Sequence, residues 1–340
     1  MKKVTIIAEA GVNHNGELSR AMQLIEVAAE AGADFVKFQT FKAEKLVSKM
    51  AGKAEYQKKN MGDDDDSQFI MLKNLELSES QHYELRDFAR QKNIKFLSTA
   101  FDLDSIDFLD NLGIEVFKIP SGEITNYPYL VRVSEKMKPV ILSTGMATFE
   151  EVQEAVNVLT VNGVDKEVIT VLHCNTEYPT PFQDVNLRAM TYMGERLGVN
   201  VGYSDHTMGI EVPIAAVALG AQVIEKHFTL DRNLPGPDHA ASLEPLELKA
   251  MVACIRHIEM ALEGSGLKEP SLSEMKNKSA ARKRIFTNKM LPVGKRVEHD
   301  DLIMMRPGDG ISPMRINDIV GKVVIKKLEV GQMLSWEHIQ

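Results

Sequence analysis

The stretch "NVGYSDHT", residues 200–207, shows the pattern from which the fold is inferred. A short apolar run ends in three hydrogen-bonding side chains, Ser204, Asp205 and His206. Buried polar groups are costly unless they are paired, so the end of this strand is predicted to face a functional site. Because neighbouring side chains of a strand point to opposite faces, these three cannot converge as a protease triad.

Seven other stretches share this apolar, strand-like character, and segments with helical periodicity separate them. The predicted strands cover residues 4–11, 34–41, 95–101, 116–123, 139–146, 168–175, 200–207 and 222–230. Eight strand–helix repeats over residues 1–265 predict an α/β fold of the (β/α)8 TIM-barrel type. An open doubly wound sheet is the alternative, but "EAGVNHNG" after the first strand is not the glycine fingerprint of that fold.

The composition changes after the predicted barrel. Residues 266–284 are polar and charged and predict a linker. Residues 285–340 combine short β-like runs with turn glycines and predict a small, mostly β domain. Within the barrel, the long segment 42–77 after the second strand is expected to cover a binding site. Its acidic run, Asp63–Asp66, is expected to be solvated, because like charges repel and no neutral residue separates them.

Charge and cysteine content exclude several classes of protein. The 340 residues carry a net charge of −8 and show no basic stripe, so nucleic acid and anionic membranes are not expected partners. No apolar stretch is long enough to span a membrane. The two cysteines do not imply a disulfide framework, and a cytoplasmic location is expected.

Polar side chains finish nearly every predicted strand. The carboxyl ends of barrel strands build the active site, so Lys37 and Lys118 would meet there as a clamp for a small anion carrying phosphate or carboxylate. Any single side chain is explained equally well by an ordinary hydrogen bond at the rim; the prediction depends on their convergence. The strand-end residues are Glu9, Lys37, Gln39, Thr99, Lys118, Ser121, Glu123, Ser143, Thr144, Asn175, Thr176, Tyr178, Ser204, Asp205, His206, Glu225 and His227.

Two of these residues, His206 and His227, belong to neighbouring strands. Strands lie about 4.8 Å apart, so the two imidazoles could share one divalent metal. Two separate hydrogen-bonded histidines are an equally good explanation from spacing alone. Imidazole with oxygen or water ligands suits Mn²⁺, Fe²⁺, Co²⁺ or Zn²⁺, and such a metal beside an anion clamp suggests attack on a polarised carbonyl. Cys174 lies inside a strand and is expected to be a packed small residue.

Together, these motifs resemble the sialic acid synthase family over nearly the whole chain. The stretches that carry the resemblance are "IIAEAGVNHNG", "FVKFQTF", "FKIPSGEI", "ILSTGMA", "LHCNTEYPTPFQDVNL", "GYSDHT", "IEKHFTLD", "GPDHAAS" and "RPGDGISP". The C-terminal domain resembles the antifreeze-like (SAF) domain of these enzymes. "LSTAFD" departs from many members, which have proline at the position of Ala100.

The resemblance implies a metal-dependent condensation of phosphoenolpyruvate with N-acetylmannosamine, or a close analogue, and water. The products would be N-acetylneuraminate and phosphate, formed by C–O cleavage. The alternative acceptor is 2,4-diacetamido-2,4,6-trideoxymannose, which would make the protein a legionaminic acid synthase. A remote alternative is a sugar-binding or ice-binding protein. Thr287 is the only threonine from Ile285 onward, which argues against an ice-binding face.

The resemblance also implies roles for individual residues. His206 and His227 would hold the metal, Mn²⁺ first, with Mg²⁺ or Co²⁺ as alternatives. Glu9 and Glu123 would be the catalytic carboxylates. Phosphoenolpyruvate would be held by Lys37, Thr99, Lys118, Ser121, Ser143, Ser204 and either Asn175 or Thr176. The sugar would be held by Gln39, Tyr178, Asp238 and an Arg306 from the partner subunit of a domain-swapped homodimer.

Overall fold

The computed structural model describes residues 3–61 and 66–340, and the chain divides into two compact units, Met1–Glu263 and Gly264–Gln340. The strands of the first unit are β1 (Thr5–Gly11), β2 (Phe35–Thr40), β3 (Lys95–Ala100), β4 (Phe117–Ile119), β5 (Val140–Ser143), β6 (Ile169–His173), β7 (Asn200–Asp205) and β8 (Val223–His227). Its helices are α1 (Leu18–Ala31), α2 (Ala43–Leu46), α3 (Glu55–Met61), α4 (Gln68–Leu75), α5 (Glu79–Gln91), α6 (Leu103–Leu112), α7 (Tyr127–Ser134), α8 (Phe149–Val161), α9 (Arg188–Leu197), α10 (Glu211–Ala218) and α11 (Pro245–Ala261). Among the described residues, no helix combines the length and apolar character needed to cross a bilayer.

The eight strands form one parallel sheet whose order follows the chain around a ring. β1 pairs with β2 on one side and with β8 on the other, and the pairing continues from β8 down to β4. β3, at one end of this series, contacts β4 at the other end. A ring of eight parallel strands with connecting helices is a (β/α)8 barrel, so the fold prediction is confirmed and the open sheet does not occur.

The interior of the barrel is built in two layers, because side chains alternate along each strand. The lower layer is apolar and buried, and consists of Ile7, Leu97, Val116, Ile141, Leu172 and Val223. Two residues further along the same runs, the upper layer is almost entirely polar and consists of Glu9, Thr99, Lys118, Ser143, Cys174 and Glu225. The apolar layer is therefore the floor of a polar chamber at the carboxyl ends of the strands.

Several strands end earlier than predicted. The prediction at 116–123 is wrong at its end, because β4 stops at Ile119 and Ser121–Glu123 form a 3-10 turn. Pro120 has no N–H and cannot extend the ladder. The predicted strands at 139–146 and 222–230 likewise end at Ser143 and His227. The residues beyond these ends belong to loops, which commonly carry functional groups.

The long segment 42–77 is not structureless, because α2, α3 and α4 lie within it. α4 begins at an N-cap, Ser67, whose hydroxyl accepts a hydrogen bond from Ile70 N–H. Three residues of the acidic run, 63–65, lie outside the described residues. Asp66 is exposed, and its Oδ2 lies 3.3 Å from Lys58 Nζ.

The second unit contains α12 (Leu272–Ala281), β9 (Arg284–Thr287) and β10 (Leu302–Met305). β9 and β10 are antiparallel, and isolated bridges join the surrounding turns. The unit has its own buried apolar core, made of Ile285, Leu291, Val297, Leu302, Ile311, Ile319, Val324, Leu328, Leu334 and Ile339. The prediction of a small, mostly β C-terminal domain is confirmed. α12 lies within the segment predicted as a linker and begins with a capping box between Ser271 and Glu274.

Candidate active site

Three buried charged side chains meet at the centre of the barrel mouth. Lys37 Nζ lies 2.7 Å from Oε2 of Glu9 and 3.7 Å from Oε2 of Glu225. It also donates a hydrogen bond to Thr99 Oγ1 at 2.8 Å. Burial lowers the pKa of Lys37, but attraction to Glu225 and Glu9 outweighs burial and raises that pKa above its ordinary value. Lys37 is therefore a fixed positive charge.

Glu225 lies between two buried lysines, Lys37 and Lys118. Its Oε1 lies 3.5 Å from Lys118 Nζ and accepts a hydrogen bond from Ser204 Oγ at 3.0 Å. Burial raises the pKa of Glu225, but Lys118 and Lys37 outweigh burial and bring that pKa below its ordinary value. Its Oε2 is buried and has no hydrogen-bond partner among the described residues. Glu225 was not among the residues given a role from the sequence, although it ends a predicted strand.

Glu9 is the member of the cluster that can change its charge near neutral pH. Burial raises the pKa of Glu9 to about 7, against the lowering effect of Lys37. Ionised Glu9 can therefore accept a proton near neutral pH. Gly11 makes room beside Glu9. It has φ +54°, and a Cβ there would lie 3.3 Å from both Glu9 Oε1 and His227 Cε1.

His206 and His227 lie beside this cluster, with ring centres 5.5 Å apart. Nδ1 of His206 donates a hydrogen bond to Asn175 O, so Nε2 carries the lone pair. Nδ1 of His227 is buried without a hydrogen-bond partner among the described residues, and Asp238 Oδ2 is 4.0 Å away. Burial lowers the pKa of His206 to about 4 and brings the pKa of His227 well below its ordinary value. Two neutral imidazoles with unengaged nitrogens fit a divalent metal ion.

The two imidazoles do not form a closed metal cage. Within residues 3–61 and 66–340, no three His, Cys, Asp or Glu side chains come together as a set that could hold an ion. Catalytic metals keep positions open for water or substrate, whereas structural sites are closed. The two imidazoles can therefore supply part of a ligand set, with water or substrate in the remaining positions.

The loop after β6 wraps around His206. Oδ1 of Asn175 accepts hydrogen bonds from Glu177 N at 2.7 Å and from Thr180 Oγ1 at 3.4 Å. The ring of Tyr178 lies on the His206 imidazole, with ring centres 4.0 Å apart. Asn175 is therefore engaged in shaping the loop, through its side chain and through the carbonyl that holds His206.

Thr176 and Ser121 converge on the turn after β5. A Cβ on Gly145 would lie 2.5 Å from Thr176 Cγ2 and 2.9 Å from Ser121 Oγ. Gly145 N donates a hydrogen bond to Ser121 Oγ at 2.9 Å, and the buried Ser143 ends the strand just before it. Glycine is required here because any side chain would collide with both hydroxyl-bearing residues.

The second predicted carboxylate, Glu123, lies in the 3-10 turn after β4. Its Oε2 accepts a hydrogen bond from Asn126 Nδ2 at 2.6 Å, and burial raises its pKa. Gln39, at the end of β2, is nearer the central cluster, because its Nε2 lies 3.5 Å from Glu9 Oε1.

The loop that carries Asp238 is held by residues that received no role from the sequence. Asn13 Nδ2 donates to Ser242 Oγ at 2.9 Å, and Asn15 Nδ2 donates to Pro235 O at 2.7 Å. Both asparagines belong to "GVNHNG" after β1, where clustered amides were a visible signal. Burial raises the pKa of Asp238 to about 6.

A further pair was also missed. Lys226 Nζ donates to Asp205 Oδ2 at 2.5 Å and to Thr207 O, and neither charged side chain has any exposed area. Strand alternation places this pair on the outer face of β7 and β8, whereas Ser204 and Glu225 face the chamber.

Arg306 lies in the second unit, and its side chain is exposed. In the part of the chain that the structure describes, its guanidinium has no hydrogen-bond or ion-pair partner, so it does not cap its own turn. The other predicted site residues all belong to the first unit, and they are Glu9, Lys37, Gln39, Thr99, Lys118, Ser121, Glu123, Ser143, Thr176, Tyr178, Ser204, His206, His227 and Asp238. No contact joins Glu123 to the Glu9–Lys37–Glu225 cluster among the described residues.

Known proteins share both units of the chain. The NeuB family model matches residues 24–268, and the SAF domain model matches residues 284–340. The N,N'-diacetyllegionaminic acid synthase of Campylobacter jejuni is 52% identical over 98% of this chain and 99% of its own length. That of Legionella pneumophila is 50% identical over 98% and 94%. The crystal structure of N-acetylneuraminic acid synthetase from Leptospira borgpetersenii, in complex with citrate, has a TM-score of 0.70 and 35% identity, and the match covers 81% of this chain and 90% of that chain.

These matches cover both the barrel and the C-terminal domain, in the order predicted from the sequence. They confirm the resemblance to the sialic acid synthases and show that the protein is a synthase-type enzyme. The chain belongs to the NeuB family and carries a C-terminal SAF domain.

Proposed function

We propose that this protein condenses phosphoenolpyruvate with 2,4-diacetamido-2,4,6-trideoxymannose and water to give N,N'-diacetyllegionaminic acid and phosphate. The buried cluster of Lys37, Lys118, Glu9 and Glu225 beside two neutral imidazoles supports the reaction class. Identities of 52% and 50% to two N,N'-diacetyllegionaminic acid synthases, against 35% to N-acetylneuraminic acid synthetase, support the acceptor. N-acetylmannosamine, the acceptor predicted first from the sequence, is the second candidate.

Phosphoenolpyruvate carries a carboxylate and a phosphate, and the chamber offers matching groups. The charges of Lys37 and Lys118 attract the anion, and hydroxyls on five strands or loops can donate hydrogen bonds to it. Thr176 is preferred to Asn175 because Thr176 lies beside Ser121 at the turn after β5, whereas the side-chain oxygen of Asn175 shapes its own loop. The proposed phosphoenolpyruvate ligands are Lys37, Thr99, Lys118, Ser121, Ser143, Thr176 and Ser204.

His206 and His227 would hold a divalent ion, with Mn²⁺ proposed first and Mg²⁺ or Co²⁺ as alternatives. The ion would supply Lewis-acid polarisation of the carbonyl of the acceptor sugar. Tyr178 and Asp238 lie against the two imidazoles, and Gln39 lies beside Glu9. These three side chains are proposed to hold the open-chain sugar with its aldehyde facing phosphoenolpyruvate.

The double-bond electrons of phosphoenolpyruvate form a C–C bond from C3 to the aldehyde carbon, which leaves C2 cationic, and the aldehyde oxygen takes up a proton to become a hydroxyl. Water adds to C2 and gives up one proton. The C2–O bond to phosphate then breaks as the new C2 hydroxyl loses its proton, which leaves the 2-keto group and phosphate. Glu9 is proposed to stabilise the cation and accept the proton from water, because a pKa of about 7 suits a general base. Glu123, whose pKa burial raises, is the proposed second carboxylate.

Isotope labelling tests this bond cleavage. Phosphoenolpyruvate labelled with ¹⁸O at the bridging oxygen should deliver its label to phosphate. Recovery of the label in the sugar acid would mean cleavage at phosphorus and would remove the role given to Glu9.

An acceptor panel tests the substrate. Phosphate release would be measured with 2,4-diacetamido-2,4,6-trideoxymannose, N-acetylmannosamine and its 6-phosphate. We expect kcat/KM to be at least about tenfold higher with the diacetamido sugar, which corresponds to about 1.4 kcal/mol. A preference for N-acetylmannosamine would make the protein an N-acetylneuraminate synthase. No phosphate release with any acceptor would contradict the reaction class.

We also propose a cytoplasmic homodimer with a catalytic domain at 1–265, a linker at 266–284 and an SAF domain at 285–340. Both cysteines are free, which suits a reducing compartment. Arg306 would enter the site of the partner subunit, where a permanently charged guanidinium can donate to an acetamido carbonyl. Its exposure and lack of local partners among the described residues support this role.

Complementation tests the contribution in trans. Glu9→Ala and Arg306→Ala, each nearly inactive, would be unfolded and refolded together. A mixed dimer then contains one site with both defects and one intact site, so activity should return to about a quarter of the wild-type value. A mixture that stays inactive would mean that Arg306 acts within its own subunit or not at all.

A further inference from the structure

The long segment after β2 reaches the candidate site through α3. The ring of Tyr56, on α3, stacks on Tyr178 with ring centres 5.1 Å apart and planes at 24°. One turn later, Asn60 Nδ2 donates a hydrogen bond to Pro237 O at 2.7 Å. Pro237 directly precedes Asp238. α3 therefore docks on both loops that carry the proposed sugar-binding residues after β6 and β8.

Tyr56 is one end of a series of three rings. Tyr178 contacts Tyr56 on one side of this series and His206 on the other, and the ring of Tyr178 also meets His227 edge-on with centres 5.5 Å apart. An aromatic ring held by several other rings has few orientations left. A change at Tyr56 would therefore alter how Tyr178 lies on the imidazoles.

We propose that Tyr56 is a positioning and specificity residue for the acceptor sugar. It holds Tyr178 against His206, and it gives the acceptor side of the site an aromatic wall that favours the less polar 6-deoxy, diacetamido sugar over N-acetylmannosamine. This inference rests on the proposed function and deepens it by naming a residue that selects the acceptor.

The contacts of Tyr56 assign it to the acceptor and not to phosphoenolpyruvate. Its ring partner is Tyr178, and Asp238 raises the pKa of both phenols in addition to the effect of burial, so that carboxylate lies near both rings. Lys37 and Lys118 are held instead by Glu9, Glu225 and Thr99, deeper in the barrel. Loss of the Tyr56 ring should therefore change the sugar parameters and leave phosphoenolpyruvate binding intact.

The chemistry of the acceptor explains why an aromatic ring is useful here. A 6-deoxy sugar has a methyl group where mannosamine has a hydroxymethyl group, and its second acetamido group adds another methyl. Methyl groups gain by burial against an aromatic face, whereas a hydroxyl there would lose hydrogen bonds to water. Tyrosine also provides this surface at a low cost in conformational entropy, because it has only two side-chain torsions.

Steady-state kinetics of three variants test the inference. Tyr56→Ala removes the ring, Tyr56→Phe keeps it, and Tyr83→Ala removes a partly exposed tyrosine from the surface of α5 as a matched control. Both acceptors and phosphoenolpyruvate would be titrated in turn at saturating Mn²⁺. For Tyr56→Ala we expect KM for the diacetamido sugar to rise about tenfold and its preference over N-acetylmannosamine to shrink. KM for phosphoenolpyruvate should stay within about twofold, and Tyr56→Phe and Tyr83→Ala should resemble the wild type.

The outcomes separate this inference from the proposed function. If the wild-type enzyme prefers N-acetylmannosamine, the proposed acceptor is wrong, whatever the variants do. If the wild-type enzyme behaves as proposed, two results in Tyr56→Ala would overturn the role of Tyr56. One is an equal rise in KM for the diacetamido sugar and for phosphoenolpyruvate, and the other is no rise in either KM. A Tyr56→Phe variant as impaired as Tyr56→Ala would also overturn it, because the ring would then not be the active part. Circular dichroism melting of all three variants identifies any loss that comes from misfolding.

Discussion

β7 and β8 carry charged groups on both faces, and the two faces differ in how completely those groups are paired. On the outer face, Asp205 and Lys226 are register partners, and Thr207 donates to the carboxylate while its carbonyl accepts from the ammonium. On the inner face, Glu225 Oε2 and His227 Nδ1 are buried without a hydrogen-bond partner among the described residues. One residue along a strand thus separates a hydrogen-bonded ion pair from buried polar atoms that have no hydrogen-bond partner among the described residues.

This difference indicates that the outer pair stabilises the barrel, whereas the inner groups are available to bind a ligand. Buried polar groups in folded proteins are nearly always satisfied, and the outer pair follows this rule with neither side chain exposed. The inner groups break the rule where a metal ion and an anion are proposed to bind. Changes to the outer face should therefore reduce stability more than chemistry, and changes to the inner face should do the opposite.

The largest effect should come from the proposed metal ligands on the inner face. In His206→Ala, we expect phosphate release to fall at least about a thousandfold, because the Lewis acid is lost. The free energy of unfolding should change by no more than about 2 kcal/mol, since the side chain lies at the mouth of the chamber. Isothermal titration with Mn²⁺ should show no binding, whereas His257→Ala, at an exposed position, should bind as the wild type does. Full activity of the wild-type enzyme after chelation would contradict the assignment of the inner-face histidines as ligands of an essential metal ion.

The outer pair should control stability. Lys226→Met leaves the Asp205 carboxylate buried and unpaired, so we expect the free energy of unfolding to fall by about 3–5 kcal/mol. Asp205→Asn in the same chain should recover at least about half of that loss, because it removes the uncompensated charge. Urea unfolding of the single and double variants measures both values. A single variant as stable as the wild type would mean that the pair is dispensable.

Binding of phosphoenolpyruvate should distinguish Lys118, on the inner face, from Lys226, on the outer face. Phosphoenolpyruvate at a hundred times its Kd should stabilise the wild-type protein by about 2.7 kcal/mol. Lys118→Met should abolish this increment, measured against the unliganded stability of the variant itself. Lys226→Met should keep the increment on a lower baseline. Thermal melts with and without phosphoenolpyruvate give the four values, and a retained increment in Lys118→Met would remove Lys118 from the anion site.

The convergence of charged side chains inside the barrel was predictable from the sequence, whereas the ion pair on the outer face of β7 and β8 was not. Eight apolar runs with polar ends imply a barrel, and a period of two places Lys37, Lys118 and Glu9 in one chamber. Lys226 lies in the same run as His227, but its significance depends on which residue of the neighbouring strand stands opposite. Register between parallel strands comes from tertiary packing, so the pairing of Lys226 with Asp205 was not visible.

Tyr56 was missed for a related reason. The segment 42–77 has no strand periodicity that ties it to the barrel. It forms three short helices, of which α3 contacts the loops after β6 and β8. Contacts such as Tyr56 to Tyr178 join residues far apart in the chain. Gly145 and Asn175 show the same limit, because their importance comes from which side chains surround them.

The smallest effect concerns the charge of Glu9. Its pKa is about 7 in the folded protein and about 4.5 in the unfolded chain, so the folded state retains a proton that the unfolded state releases. The resulting stability is fully present below about pH 4.5 and is lost as the pH rises through 7. From these two pKa values we expect wild-type stability to fall, relative to Glu9→Gln, by about 2 kcal/mol between pH 5 and pH 8. Urea unfolding of the metal-free protein at both pH values measures this difference, and Glu30→Gln, at an exposed position on α1, should retain the wild-type slope. Identical slopes in wild type and Glu9→Gln would place the titrating group elsewhere and weaken the contrast between the two faces.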